Sequence, residues 1–345
     1  MARRTLTLSL LCLGLAGFSP CGAQVTRRLK DYDAQEKASE ERMRTQQQEC
    51  IALKSRLVSI EEEYAFGSAV SVNWVSTGGG LLASADAALL ETQLNQIGRL
   101  VAAQSTRPAL AWTFGVLASP GVNAVSGPGG YVFVSDGLLR QLDSEAELAG
   151  VLAHEIAHIT GKHALNEYHG YLMDECLRMV KAEEMRSETE LGVGLAKELV
   201  HSIPPGELKG LFDQLSPQGG FDFDKAGPAL IQALTQGVLN RILEKGFDER
   251  DEFAADREAV ELMVAAGYDP QAYLAFLGKL PEKGLSTAHP SKAERQERVR
   301  KQLASLRERA AAGEFTTALD LERTKVYPLR DTLLTHRAPP PAAPR

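Results

Sequence analysis

The sequence predicts an α+β fold, mostly helical, with a small β-sheet whose edge strand borders one buried helix. Three observations predict it. Strand signals are confined to residues 109–140. Elsewhere the apolar residues recur at three- and four-residue spacing. Gly and Pro clusters cut those stretches into helix-length segments. With 345 residues, 44% of them hydrophobic, the chain can build one large domain with appendages, or two domains. A net charge of −7 and only 6% aromatic residues supply neither a basic footprint nor base-stacking platforms, so no nucleic-acid partner is expected.

The N-terminus reads as an export leader. Arg3 and Arg4 precede an apolar run, Leu8 to Phe18, too short to span a bilayer. Cys21-Gly22-Ala23 offers a small-residue cleavage site, giving a signal peptide over residues 1–23 and an exported, periplasmic product. The alternative is a lipoprotein anchored through Cys21, hence a peripheral outer-membrane association, although Pro20 suits lipidation poorly. No later stretch is long and apolar enough to span a membrane. Export permits a disulfide between Cys50 and Cys176. Two separately buried small side chains fit at least as well. No C-x-x-C pair exists, which excludes a thiolate zinc site.

Residues 24–84 read as a charged N-terminal helix and a Gly-rich linker. Met43, Gln46, Cys50, Leu53, Leu57, Ile60 and Tyr64 form a narrow seam, as in a helix lying across the main domain. STGGGLLAS (76–84) reads as a flexible link. The main domain spans 85–315 and opens on a helix through Leu89, Leu90, Leu94, Ile97 and Leu100. LAWTFGVL is strand-like, and VNAVSGPGGYVFVSDGLL places a Gly-Pro-Gly-Gly turn before the strand YVFVS. Ser144-Glu145-Ala146-Glu147 is a capping box that starts the next helix, and Gly161 is placed to end it. Residues 164–246 form a helical insertion, or lid, broken at SIPPGE and SPQGGFDFDKAGP. Another helix begins near Asp248 and stops at Gly267, and Pro270 restarts the next. Residues 316–345 form a tail with a Pro-rich end.

The helix LAGVLAHEIAHITGKH (148–163) carries H-E-x-x-H. Residues four apart share a helical face, so His154 and His158 project together and can ligate one metal. Glu155 is rotated away, placed to act as a general base on a water beside that metal. The flanking Val151, Leu152, Ile156 and Ile159 imply burial, where two histidines and a carboxylate are costly without a cation. A catalytic zinc requires a third protein ligand and one open position. Two candidates stand. His163 lies just past the helix, one residue short of the H-E-x-x-H-x-x-G-x-x-H pattern. Glu252, in FDERDEFAADREAVELM (247–263), shares a helical face with Asp256, and Ala254, Ala255 and Ala259 allow close helix approach. Asp256 could then accept a hydrogen bond from a ligand histidine.

VNAVSGPGGYVFVSDGLL, LAGVLAHEIAHITGKHA, DEFAADREAV and AHPSKAERQERV occur in this order. Over residues 85–305 the chain thereby resembles the zinc metallopeptidase family that includes the HtpX-type heat-shock proteases and the CAAX prenyl proteases, especially its soluble exported bacterial members. The resemblance implies a zincin-like metallopeptidase core, one Zn2+ per chain, His154, His158 and Glu252 as ligands, and Glu155 as base. It also selects the Glu-x-x-x-Asp helix over His163. The spanning helices of membrane-embedded members and the tandem repeats of some periplasmic ones are not expected here.

The expected function is therefore a zinc-dependent endopeptidase acting on unfolded or misassembled envelope proteins, as in protein quality control. The alternative is a chaperone-like or scaffold binding protein with an inactive or structural metal site. His289, in Ala-His-Pro-Ser, is the candidate oxyanion donor, or else a fourth ligand in a closed resting state. Tyr131, Val132, Phe133, Val134 and Ser135 are expected to form the edge to which substrate adds as an extended strand. His169, His201 and His336 have no partner pattern and read as surface or loop residues.

Overall fold

The Gly-Pro-Gly-Gly turn joins two strands rather than merely preceding one. In the computed structural model, which describes residues 20–188, 228–280, 290–313, 321–331, 333 and 336, three strands form one sheet. They are β1 (Thr113–Leu117), β2 (Ala124–Gly127) and β3 (Tyr131–Ser135). Their order is β1-β3-β2. β3 runs parallel to β1, with Thr113 opposite Tyr131, and antiparallel to β2, with Ala124 opposite Val134. Gly129 and Gly130 take φ of 81° and 103°, which the turn requires and other residues resist.

This order corrects one expectation. Tyr131–Ser135 is the central strand and its backbone is engaged on both sides; β2 is the strand that borders the helix. The physical sign was present: YVFVS is a continuous apolar run, as in strands buried on both faces, whereas AVSG is short and ends in glycine.

Helix α1 (Pro20–Ala52) gives way to a 3-10 turn at Leu53–Ser55, and α2 (Ile60–Thr77) follows. The single seam expected through Tyr64 is therefore broken, leaving Leu57 88% exposed. Ser59 restarts the helix by accepting the Glu62 amide at 3.1 Å, ahead of an acidic first turn. Arg56 turns back onto Glu62 in a buried ion pair. The glycine triplet is an ordered turn instead of a flexible link. Gly79 and Gly80 take φ of 82° and 90°, Leu82 donates to Val116 at 2.8 Å, and Ala118 donates to Gly80, so the segment pairs with β1.

Cys50 and Cys176 are disulfide-bonded, joining α1 to α6 (His163–Glu188) across 126 residues of chain. Closing so long a loop restricts the unfolded chain by about 5 kcal/mol at most in the loop-entropy model. The Cys50→Ser, Cys176→Ser double variant should lose about 2–5 kcal/mol in denaturant unfolding. A variant of unchanged stability would remove the bond from that role.

α3 (Ala87–Ala102) buries Leu90, Leu94, Ile97 and Val101 under the sheet. A short α4 (Asp136–Leu139) leads to α5 (Glu145–Thr160). The later helices are α7 (Pro228–Lys245), α8 (Glu249–Ala265), α9 (Gln271–Lys279) and α10 (Lys292–Ala311). One apolar cluster gathers the sheet with α3, α5, α8, α9 and α10. A second gathers α2, α6 and α7 around Phe66, Tyr168 and Leu172. No helix among the described residues is long and apolar enough to cross a membrane.

The leader residues 1–19, His201, His289 and the end of the tail, 337–345, lie outside the described residues. His169 and His336 are buried, contrary to expectation. His336 sits between two carboxylates, with Nδ1 3.1 Å from Asp86 and Nε2 against Asp136. Those partners are far away in sequence, so no local pattern marks them.

Candidate active site

The site starts from α5, whose residues from Glu145 to Ile159 are all buried. A helix wrapped on every side needs its first amides satisfied by design. Ser144 accepts the Glu147 amide at 3.1 Å. The Glu147 side chain does not close the expected capping box; it takes the Asp143 amide at 2.7 Å and Lys279 at 2.6 Å. Two further amides, Glu145 and Ala146, donate to the carbonyls of Tyr327 and Val326 from the C-terminal segment. Gly161 is the C-cap, but the left-handed residue is Lys162, at φ 58°.

α8 packs along α5 through the fully buried Ala255 and Ala259. That close approach brings Glu252 to the histidines. The Nε2 atoms of His154 and His158 lie 3.0 Å apart. Glu252 Oε2 is 3.7 Å from His154 Nε2, and Oε1 is 3.6 Å from His158 Nε2. Ligand atoms at bonds near 2.05 Å around a tetrahedral first-row cation stand about 3.3 Å apart. The three separations straddle that value, so the donor set fits such a cation. Among the described residues, these three are the one His/Cys/Asp/Glu group able to hold a metal. Burial pushes the His158 pKa well below its ordinary value, with Glu252 opposing, and so keeps the imidazole in the neutral form that binds metal.

Asp256 lies one turn beyond Glu252. Its Oδ1 is 3.1 Å from His154 Nδ1, the nitrogen that faces away from Glu252. A carboxylate there fixes the tautomer and leaves Nε2 free for the metal. Two residues that no sequence pattern singled out complete the network. Arg295 of α10 binds Asp256 through Nε at 2.9 Å and Nη2 at 2.7 Å. The Tyr273 hydroxyl of α9 donates to Asp256 at 2.6 Å. Burial alone would raise the Asp256 pKa, but the Arg295 guanidinium and His154 hold it well below the usual carboxylate range. Burial, with Asp256 adding to it, pushes the Tyr273 hydroxyl well above its ordinary value, so it stays a donor. AHPSKAERQERV contains Arg295, but only packing shows which of its three basic residues turns inward.

His163 does not join the three. Its Nδ1 faces His158 Nδ1 at 2.8 Å, and its Nε2 faces Asp251 at 3.8 Å. Burial lowers its pKa too, with Asp251 acting against that. Phe247 stacks on His158, with ring centroids 4.6 Å apart.

Glu155 lies beside His154 in the walls of two cavities, which also share Asn123 and Ala124. One continues along Leu138, Phe276 and Leu277, the other along Phe66, Trp74 and Phe247. β2 therefore runs where Glu155 opens to the cleft. Ser135 donates to Asn123, which makes that opposed pair hydrogen-bonded and leaves the backbone groups of Ala124 and Ser126 directed to the outer edge. No strand pairs with that edge among the described residues.

Comparison with known proteins meets this geometry. The beta-barrel assembly-enhancing protease of Yersinia pestis is 28% identical over 203 residues, 59% of this chain and 35% of that protein. Its counterpart in Escherichia coli K12 is 26% identical over 202 residues, again 59% and 35%. Mitochondrial metalloendopeptidase OMA1 of Schizosaccharomyces pombe is 38% identical over 71 residues, 21% of each chain. The chain thus spans about a third of the length of the first two relatives. The model of peptidase family M48 matches residues 88–303, which takes in α3, the sheet, α5, α8, α9 and most of α10. With an H-E-x-x-H helix buried beside a Glu-bearing partner, and that match covering more than half its length, this chain belongs to peptidase family M48.

Proposed function

We propose that the protein is a zinc-dependent endopeptidase of the periplasm that cuts unfolded or misassembled envelope proteins. The single observation that carries this is the convergence of His154, His158 and Glu252 within 3.0–3.7 Å, with Glu155 beside them at an open cleft. Two imidazoles and one carboxylate leave a coordination position open, the stoichiometry of catalytic zinc. A bound zinc supplies a Lewis acid and lowers the pKa of water toward neutrality.

The chain's own residues do the rest. Glu155 takes a proton from water as it attacks a peptide carbonyl, and returns it to the leaving amine. Asp256, anchored by Arg295 and Tyr273, holds the His154 ring. The outward backbone groups of Ala124 and Ser126 receive the substrate as an added strand, so the substrate edge is β2 rather than residues 131–135. The apolar walls on both sides of Ala124 suit side chains that folded proteins bury. His289 is assigned as oxyanion donor on the Ala-His-Pro-Ser pattern of the sequence alone. The envelope substrate rests on the names of the two bacterial relatives, and the periplasmic location on the leader in the sequence.

The test is the full chain, its zinc content and its action on casein. One zinc per chain with casein cleavage that stops on chelation and returns with zinc is the expected result. A zinc-loaded chain that never cleaves casein but suppresses its aggregation would replace the peptidase with a binding protein.

A further inference from the structure

The two histidines on α5 are oriented by different means. His154 has a carboxylate behind it, Asp256. His158 has another imidazole, His163, with Nδ1 facing Nδ1 at 2.8 Å. Resting on the metal centre proposed above, we propose that His163 is a positioning residue, accepting the His158 Nδ1–H and so holding His158 Nε2 toward the cation.

A histidine that binds metal through Nε2 is neutral and carries its proton on Nδ1. The His158 Nδ1–H then requires an acceptor, since it is buried. Among the described residues His163 Nδ1 is the group placed to accept it. His163 in turn carries its proton on Nε2, the atom that faces Asp251. The local backbone is arranged for this contact. Lys162 takes the left-handed conformation that swings His163 back over the helix end. Gly161 leaves the space: a Cβ there would lie 2.4 Å from His163 Nε2. Phe247 covers His158 from one face and contacts His163, which keeps water from competing as acceptor. Gly161 and His163 thus act as one device, and it explains a histidine placed one residue short of a ligand position.

The test is zinc affinity, measured on the purified full chain by competition with a chromogenic chelator, with no activity readout needed. His163→Ala should bind zinc roughly 10–100-fold more weakly than wild type. In His163→Asn the amide oxygen sits where Nδ1 was and can accept the same proton, so most of the affinity should return. A folded His163→Ala that binds zinc as tightly as wild type overturns the inference. So does an Asn variant as weak as Ala, because filling space would then be the residue's whole role. If His163→Ala does not fold, Gly161→Ala, which drives the ring away, should show the same loss, and unchanged affinity there overturns the inference. A wild-type chain that binds no zinc removes the metal centre itself and this inference with it.

Discussion

Glu155→Gln should retain one zinc per chain and lose casein cleavage by roughly 10²–10⁴-fold in kcat, the range supplied by a positioned general base. Gln matches Glu in shape, so the three ligand atoms are undisturbed, but it cannot accept a proton at neutral pH. Glu252→Gln should lose activity by the other route, releasing the metal, because a neutral amide replaces the one anionic ligand. Metal analysis of the two variants separates the roles. Near wild-type turnover in Glu155→Gln would take the base assignment away from it. Wild-type zinc affinity in Glu252→Gln would take away the ligand assignment.

Arg295→Met should destabilise the protein by about 3–5 kcal/mol, because it takes the counter-ion from a buried carboxylate. Arg295 and Asp256 are both buried, and their charges balance in a site nearly closed to water. Removing the guanidinium leaves the Asp256 carboxylate without its counter-ion, facing His154 and Tyr273. Much of that penalty belongs to the stranded charge, so Asp256→Asn combined with Arg295→Met should recover part of it. Denaturant unfolding of the metal-free chain gives the energy. Additive losses in the double variant would show that the two residues are not coupled. Zinc affinity should fall in Arg295→Met as well, since an unanchored Asp256 holds the His154 ring less firmly.

Helix positions were the most legible part of the fold. Gly267, Pro270 and Asp248 act locally, through backbone freedom, ring constraint and capping, and the structure uses them as the sequence suggests: Asp248 accepts the Arg250 amide, Gly267 takes φ 84°, and α9 starts after Pro270. Misreadings arose where a partner from elsewhere in the chain decides. The seam through Leu57 has good helical spacing, but the Arg56–Glu62 pair and the Ser59 cap break it. YVFVS was recognisable as a strand, but strand order depends on which segments reach its two sides. The Cys50–Cys176 bond is not legible in the sequence, because only tertiary contact decides it.

What the sequence determined by itself was the local half of the site: His154 and His158 on one face of α5 with Glu155 beside them, set by 3.6 residues per turn. The residues alone left Glu252 and His163 as candidates for the third ligand, and the resemblance to known metallopeptidases chose Glu252. Only the tertiary structure decided that α8 lies close enough for its carboxylate to meet both imidazoles, that Arg295 and Tyr273 stand behind Asp256, that His163 backs His158, and that β2 is the open edge. The physical reason is range. Helical periodicity and capping act over one turn of chain, whereas buried charges and hydrogen bonds must find partners wherever packing supplies them, and in this fold those partners come from other helices.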